Sequence, residues 1–278
     1  MTPNGLKTVA YKCGRTGRRA LLCILLGAAI VAGSLLLQQR MGIPSPFRLS
    51  AGDKTEQKEG AQRQTRQLAL SAHTVYALQL GAFTQEDAAR QLAQQYATRG
   101  AAGYVHFDGK AYRVLAAAYP TRAEAQAIQT RLNGQNISTY IHPCTQDALT
   151  LRAGGEERQV TAAAEALSYL DGLGGKLHTL SAALDSRERT AEECRSALLS
   201  EGATCAGFGQ NLLQAFDGEL PLSLQPLADV LSQISDIAEA VRNENSAARV
   251  GAALKKAQLT VFFGLDSFAR ALDPYTEP

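Results

Sequence analysis

The fold of this chain is decided by residues 75–107, VYALQLGAFTQEDAARQLAQQYATRGAAGYVHF, and residues 111–143, AYRVLAAAYPTRAEAQAIQTRLNGQNISTYIHP. The second segment repeats the pattern of the first 36 positions later, so that Tyr76 corresponds to Tyr112. Each copy reads as an apolar strand, an alanine-rich helix and a second short strand. Two such halves must close on each other, which predicts an α+β domain with the ferredoxin-like order βαββαβ.

Short signals within each copy mark where the elements begin and end. Thr84 and Thr121 stand where helix N-caps are expected, and each is followed three residues later by an acid, as in a capping box. Asp108 and Gly109 lie between the second and third strands and predict a tight hairpin turn. The helices are therefore expected to begin directly after the two threonines.

The two predicted helices are expected to pack on one face of the four-stranded sheet and to leave the other face open. Gln79 and Arg113 lie on that open face, on two different strands. An exposed sheet face with convergent polar groups suits a flat polymeric ligand. The alternative is that both side chains are merely solvated.

Two short motifs resemble the SPOR domain family of extracytoplasmic modules. They are QLGAF at residues 79–83 and YRV at residues 112–114, and the resemblance extends over residues 74–143. The resemblance implies binding of peptidoglycan glycan strands stripped of their stem peptides, which accumulate at division or sporulation septa. By position, it implies a glycan-binding site formed by Gln79, Ala82, Tyr104, Arg113 and Tyr140.

The sequence departs from the family pattern at two places. The third strand of the family usually ends in a Gly-Pro pair, which is Ala117 and Ala118 here. The position two residues before Arg113 is often aromatic and is Ala111 in this chain, which removes a surface on which a sugar could stack. These departures predict weaker sugar contact or a different ligand, and they leave the fold prediction unchanged.

The N-terminal part predicts a membrane anchor. Residues 20–37, ALLCILLGAAIVAGSLLL, are uncharged and approach the length of a transmembrane helix. Residues 1–19 are basic, which places them in the cytoplasm and the rest of the chain outside the cell membrane. A cleaved signal peptide is the alternative. Residues 38–73 are polar and predict an extracytoplasmic linker, with some helix just before Val75.

Residues 156–273 predict an all-α region of unknown role. Apolar stripes predict helices near 157–185, 187–201, 207–217, 224–242 and 246–272. Breaks are predicted at Gly172–Gly175, at Gly202, at Gly218 and from Pro221 to Pro226. The stripes are expected to pack against each other as a bundle; the alternative is a surface that binds a protein partner. Residues 156–278 contain eighteen acidic and ten basic side chains, a net charge of −8, which argues against nucleic acid as a partner.

The sequence contains no recognisable catalytic, metal or cofactor motif. Its five cysteines have no C-x-x-C spacing, and a disulfide between Cys194 and Cys205 stays open beside the alternative of free thiols. His178 is the only histidine in the C-terminal region, too few for a zinc site or a catalytic base with partners. We therefore expect a membrane-anchored peptidoglycan-binding protein that is not an enzyme, with a structural scaffold as the alternative.

Overall fold

A computed structural model describes residues 63–272 of the chain. The strands are β1 (Arg63–Leu70), β2 (His73–Phe83), β3 (Tyr104–Phe107), β4 (Tyr112–Tyr119), β5 (Tyr140–Gln146) and β6 (Leu149–Glu156). The helices are α1 (Glu86–Ala97), α2 (Arg122–Asn133), α3 (Glu157–Asp185), α4 (Ala191–Ala215), α5 (Gln225–Ala240) and α6 (Ala247–Leu272), with a 3-10 helix at Leu222–Leu224.

The repeat forms the predicted βαββαβ sheet. Its four strands lie in the order β3-β4-β2-β5, and all neighbours are antiparallel. This is the ferredoxin-like arrangement, so the fold prediction for this part of the chain is confirmed. Helices α1 and α2 pack on one face, where Leu78, Ala89, Val114 and Ala125 are buried. The register of β2 against β4 shifts twice between Leu78 and Gly81, which places a bulge beside Gln79.

The predicted helix N-cap is confirmed in the second copy of the repeat and wrong in the first. Thr121 caps α2, because its side chain accepts a hydrogen bond from the backbone N–H of Glu124 at 3.2 Å. The prediction for Thr84 is wrong: α1 begins at Glu86, and its N-cap, Gln85, makes no side-chain capping bond. The hairpin turn at Asp108 is confirmed by a hydrogen bond from its N–H to the carbonyl of Ala111.

A two-stranded ribbon flanks the repeat on both sides in the chain. Strand β1 pairs with β6 along its whole length, from Arg63 opposite Glu156 to Leu70 opposite Leu149. Leu68 and Leu70 are buried in the core of the helical region. The helix expected just before Val75 is therefore wrong. The segment forms a strand because it pairs with β6, about 80 residues further along the chain. A local sequence pattern gives no sign of so distant a partner.

The helical region contains four long helices, α3 to α6. The predicted breaks at Gly172–Gly175 and at Gly202 are wrong, because α3 and α4 run unbroken through them. A Cβ atom at Gly202 would lie 2.5 Å from the Cβ atom of Ala238 on α5. The glycine permits close packing of two helices. Cys194 and Cys205 both lie on α4, eleven residues or about 16 Å apart along its axis, too far for a disulfide. Both thiols are buried and free.

Helix α6 contributes to two hydrophobic cores. Leu254, Leu265 and Phe268 are buried against the other helices, whereas Leu259 and Phe262 belong to a separate cluster with residues of the sheet. Even its polar Gln258 and Thr260 are buried. A helix that is buried on nearly all sides lies between two packed layers. It joins the repeat and the helical bundle into one body.

No helix within residues 63–272 is long and apolar enough to cross a membrane. The predicted transmembrane helix at 20–37, the basic tail at 1–19 and residues 38–62 of the linker lie outside the described residues.

Replacing Gly264 with alanine should destabilise the protein, although alanine favours a helix by about 1 kcal/mol. A Cβ atom at Gly264 on α6 would overlap the Cγ2 atom of Val230 on α5. Such overpacking typically costs about 1–3 kcal/mol, so we expect a lower free energy of unfolding in urea denaturation.

Gly207→Ala on α4 is the matched control, because a Cβ atom there meets no other described residue within 4 Å. It should stabilise the protein by up to about 1 kcal/mol. Equal shifts in the two variants would mean that α5 and α6 do not pack as described.

Candidate functional site

Helix α6 covers part of the sheet face that the sequence predicted to be open. Leu259 and Phe262 pack there on Ala77 and Leu115. The side-chain amide of Gln258 donates a hydrogen bond to the carbonyl oxygen of Ala118 at 3.2 Å. The prediction of a fully open face is therefore wrong. The sequence analysis assigned the aromatic side of the last helix to the bundle, but this side packs on the sheet.

The covered part extends to the edge strand β3 through Phe263. The ring of Phe263 stacks on His106 with 4.0 Å between ring centroids, and on Tyr104 with 5.5 Å. Burial raises the pKa of Tyr104 to about 12 and lowers the pKa of His106 below its ordinary value. The structure thus places Tyr104 beneath a helix, where its ring is not presented to a sugar.

The remaining part of this face carries a group of polar side chains, which we name the polar patch: Gln79, Asp108, Arg113, Tyr140 and His142. Strand pairing brings these residues together, since Gln79 lies opposite Tyr140 and Arg113 opposite Ala82. Four of the five residues predicted for the glycan site therefore lie on the uncovered part of one face. Asp108 and His142 were not predicted as site residues. Asp108 could have been found from its place in the hairpin beside Arg113.

Arg113 is held in place by two neighbours. Its Nη1 donates to Oε1 of Gln79 at 2.8 Å, and its Nε donates to Oδ2 of Asp108 at 2.6 Å. The guanidinium has five N–H donors. Contacts within the described residues do not use all the donors on either Nη atom, so N–H groups remain for a ligand. Its side chain is 24% exposed, which leaves it reachable but oriented.

The carboxylate of Asp108 is fixed by the hairpin that contains it. It accepts hydrogen bonds from the backbone N–H groups of Ala111 at 2.8 Å and Lys110 at 2.9 Å. These two bonds, followed by the contact with Arg113, hold the pKa of Asp108 far below its ordinary value. Asp108 therefore stays ionised and neutralises Arg113 at neutral pH.

The rest of the patch consists of an amide, an imidazole and a phenol. Burial, followed by the charge of Arg113, lowers the pKa of His142. Tyr140 is 62% exposed and presents a phenol ring to solvent. A paired ion, an amide, an imidazole and a free aromatic ring together favour a neutral ligand with many hydroxyl groups over a strongly charged one.

The departures from the family pattern have a structural role here. Ala118 is buried, and its carbonyl oxygen accepts the hydrogen bond from Gln258 of α6. Ala117 is also buried in the sheet, and Ala111 donates its N–H to Asp108. Small residues on β4 thus leave room for the helix. Val75, Ala77 and Leu115 are apolar and lie on the face that was predicted to be open. These residues were the signal in the sequence that another element covers this face.

Residues 72–141 match the family model of the SPOR domain. The resemblance seen in the sequence over 74–143 is therefore confirmed for this part of the chain, which contains both strands that carry Gln79 and Arg113. SPOR domains bind peptidoglycan, serve septal functions in general and are not catalytic. No curated protein and no solved structure matches the chain.

Replacing Phe263 with alanine should raise the pKa of His106 toward about 6.5, because burial is the main cause of its lowered value. An NMR titration of the His106 ring measures this. Phe107→Ala is the matched control: Phe107 is the next residue on β3 but packs on Tyr112, with 4.8 Å between ring centroids. A pKa of His106 that stays low in Phe263→Ala would contradict the packing of α6 on the sheet.

Replacing Asp108 with asparagine should lower the free energy of unfolding at neutral pH. The variant should also lose less stability than the wild type when the pH falls. The pKa of Asp108 is lower in the folded than in the unfolded protein, so its stabilising effect is present above about pH 4 and disappears as pH falls further. The difference in unfolding free energy between wild type and variant should shrink between about pH 5 and pH 2. The exposed Asp87→Asn on α1 is the control; a difference that is independent of pH would contradict the prediction.

Proposed function

We propose that this protein is a single-pass, membrane-anchored protein that binds peptidoglycan glycan strands outside the cell membrane, at the division or sporulation septum. The observation that carries the proposal is the polar patch on the SPOR segment, where Gln79 and Asp108 hold Arg113 beside Tyr140. The membrane anchor is supported by the apolar run at 20–37 and the basic residues before it. Binding makes and breaks no covalent bond.

The polar patch offers the two kinds of contact that sugars use. The N–H donors of Arg113 and the amide of Gln79 can hydrogen-bond to ring hydroxyl and carbonyl oxygens. The exposed ring of Tyr140 provides an apolar surface for a sugar face. It takes the place of the aromatic side chain that the family often has where this chain has Ala111. Ala82 is exposed beside Arg113, so its backbone is within reach of the same ligand.

Helix α6 supplies a reason to prefer stripped strands. It covers the neighbouring part of the face, including Tyr104, and so limits the width of a ligand on the patch. A bare glycan strand is narrower than one that carries stem peptides. We therefore favour denuded glycan as the ligand.

A second candidate function is that of a scaffold whose helical region binds a protein partner. Leu222, in the 3-10 helix between α4 and α5, is 88% exposed, which is unusual for a large apolar side chain. Removing the helices cannot test this, because it would also uncover the apolar part of the sheet. Point substitutions are required.

The Gln79→Ala/Arg113→Ala double variant should bind wall sacculi at least about tenfold more weakly, since a lost hydrogen bond to a charged group costs about 1.5–3 kcal/mol. The measurement is co-sedimentation of the full chain in detergent with intact and amidase-stripped sacculi, and wild type should prefer stripped ones. Arg90→Ala is the control, because Arg90 is an exposed arginine on α1 of the same domain.

A fluorescent fusion of the full chain provides the same test in cells. Wild type and Arg90→Ala should label septa, and the double variant should label the envelope evenly. Septal labelling that survives in the double variant but is lost in Leu222→Ser would support the scaffold instead.

A further inference from the structure

Helix α6 continues beyond the residues that pack on the sheet, and its direction leads it to the polar patch. The amide of Gln258 bonds to the carbonyl oxygen of Ala118 on β4. Five residues later, the ring of Phe263 stacks on His106, which lies opposite Arg113 in the pairing of β3 with β4. The helix therefore runs along β4 from Ala118 toward Arg113.

Asp266 is the next residue of α6 on the side that faces the sheet. Leu259 packs on the sheet, and Asp266 follows it by seven residues, or about two helical turns, so both side chains leave the helix on the same side. Two turns advance about 10 Å along the helix axis, and two residues of a strand advance about 7 Å. This advance brings Asp266 level with Gln79 and Arg113, which lie two residues beyond the strand residues beneath Leu259.

The charge of Asp266 acts on groups of both outer strands of the sheet. Burial lowers the pKa of His106 on β3 and raises the pKa of Cys144 on β5; the negative charge of Asp266 opposes the first shift and adds to the second. Since β3 and β5 are the two outer strands, a carboxylate that is close to both lies over the inner strands β4 and β2. These two strands carry Arg113 and Gln79, in agreement with the helical spacing.

The carboxylate of Asp266 is accessible and is not in contact with the guanidinium of Arg113. Its side chain is 19% exposed, and its Oδ2 lies 2.8 Å from Nη2 of Arg270, a side chain that is 77% exposed. Among residues 63–272, Arg113 pairs with Asp108, and no ion pair joins it to Asp266. A carboxylate on the helix and a guanidinium on the sheet thus face each other across a space that borders solvent.

We propose that Asp266 is a ligand-binding residue of the glycan site, on the wall that α6 provides. A group that spans this space must donate a hydrogen bond to the carboxylate and accept one from the N–H groups of Arg113. A sugar hydroxyl does both, and an acetamido group does so through its N–H and its carbonyl oxygen. An anionic group would be repelled at this position by Asp108 and Asp266. The assignment rests on the proposed function and adds to it that the helical region contacts the glycan directly.

Asp266→Ala tests the proposal in the full chain in detergent, by co-sedimentation with amidase-stripped sacculi. Loss of a hydrogen bond to a charged group should weaken binding at least about tenfold. Asp266→Asn keeps an acceptor oxygen without the charge and should weaken binding about fivefold. Binding equal to that of the wild type in Asp266→Ala would overturn the proposal.

Glu86→Ala on α1 is the matched control. Glu86 forms an ion pair with an arginine four residues later, as Asp266 does, but its helix packs on the opposite face of the sheet. This variant should bind sacculi like the wild type. An equal loss of binding in Glu86→Ala and Asp266→Ala would contradict a specific contact between Asp266 and the glycan.

The pKa of His106, measured by NMR titration, shows whether α6 keeps its place in Asp266→Ala. Removal of a nearby negative charge should lower this pKa further, whereas displacement of the helix would expose the ring and raise it. We expect weaker binding together with a lowered pKa. If the pKa rises, the isosteric Asp266→Asn decides, and unchanged binding in that variant would refute the proposal.

This proposal and the proposed function fail in different ways. If the Gln79→Ala/Arg113→Ala variant loses sacculus binding and Asp266→Ala does not, Asp266 is not a ligand contact and the proposed function stands. If Asp266→Ala loses binding and the double variant does not, the polar patch is not the glycan site, while Asp266 remains a ligand contact.

Discussion

The packing of α6 between the helical bundle and the sheet is the contact on which the rest of the structure depends. Leu254 and Leu265 face the bundle, while Leu259 and Phe262 face the sheet. Burying each large apolar side chain contributes about 1.5–3 kcal/mol, so a helix that buries both sides contributes to both cores at once. Neither the repeat nor the bundle can therefore be removed without exposing the apolar surface of the other.

This packing divides one face of the sheet into two parts of different chemistry. Toward α6 the strands present Ala77, Leu115 and Ala118, small or apolar residues that a helix can cover. Beyond it, Gln79 and Arg113 are polar and stay partly exposed. Desolvating the ion pair of Arg113 and Asp108 under a helix would be costly, whereas leaving it at the edge of the helix is not. The boundary of the covered area thus follows the residue types on the strands.

The sequence predicted what local patterns control and missed what distant contacts control. Alternation and helical spacing within the repeat were sufficient for the βαββαβ order, and Thr121 was identified as a cap. Strand β1 was missed, because a polar segment becomes a strand only beside its partner β6. The position of α6 was missed because an apolar helix face does not specify whether it packs on other helices or on a sheet. Gln79 and Arg113 were placed on the correct face, and their neighbour Asp108 was overlooked.

Ligand recognition in this chain should therefore not be deduced from the SPOR segment alone. Phe263 of α6 lies against His106, close to the polar patch. The surface that we propose for sugars is therefore bordered by a helix outside residues 72–141. Because a well-packed helix moves as a unit, displacing α6 would change the border of the polar patch. The helical region would then help to select the ligand, in addition to any partner that it binds.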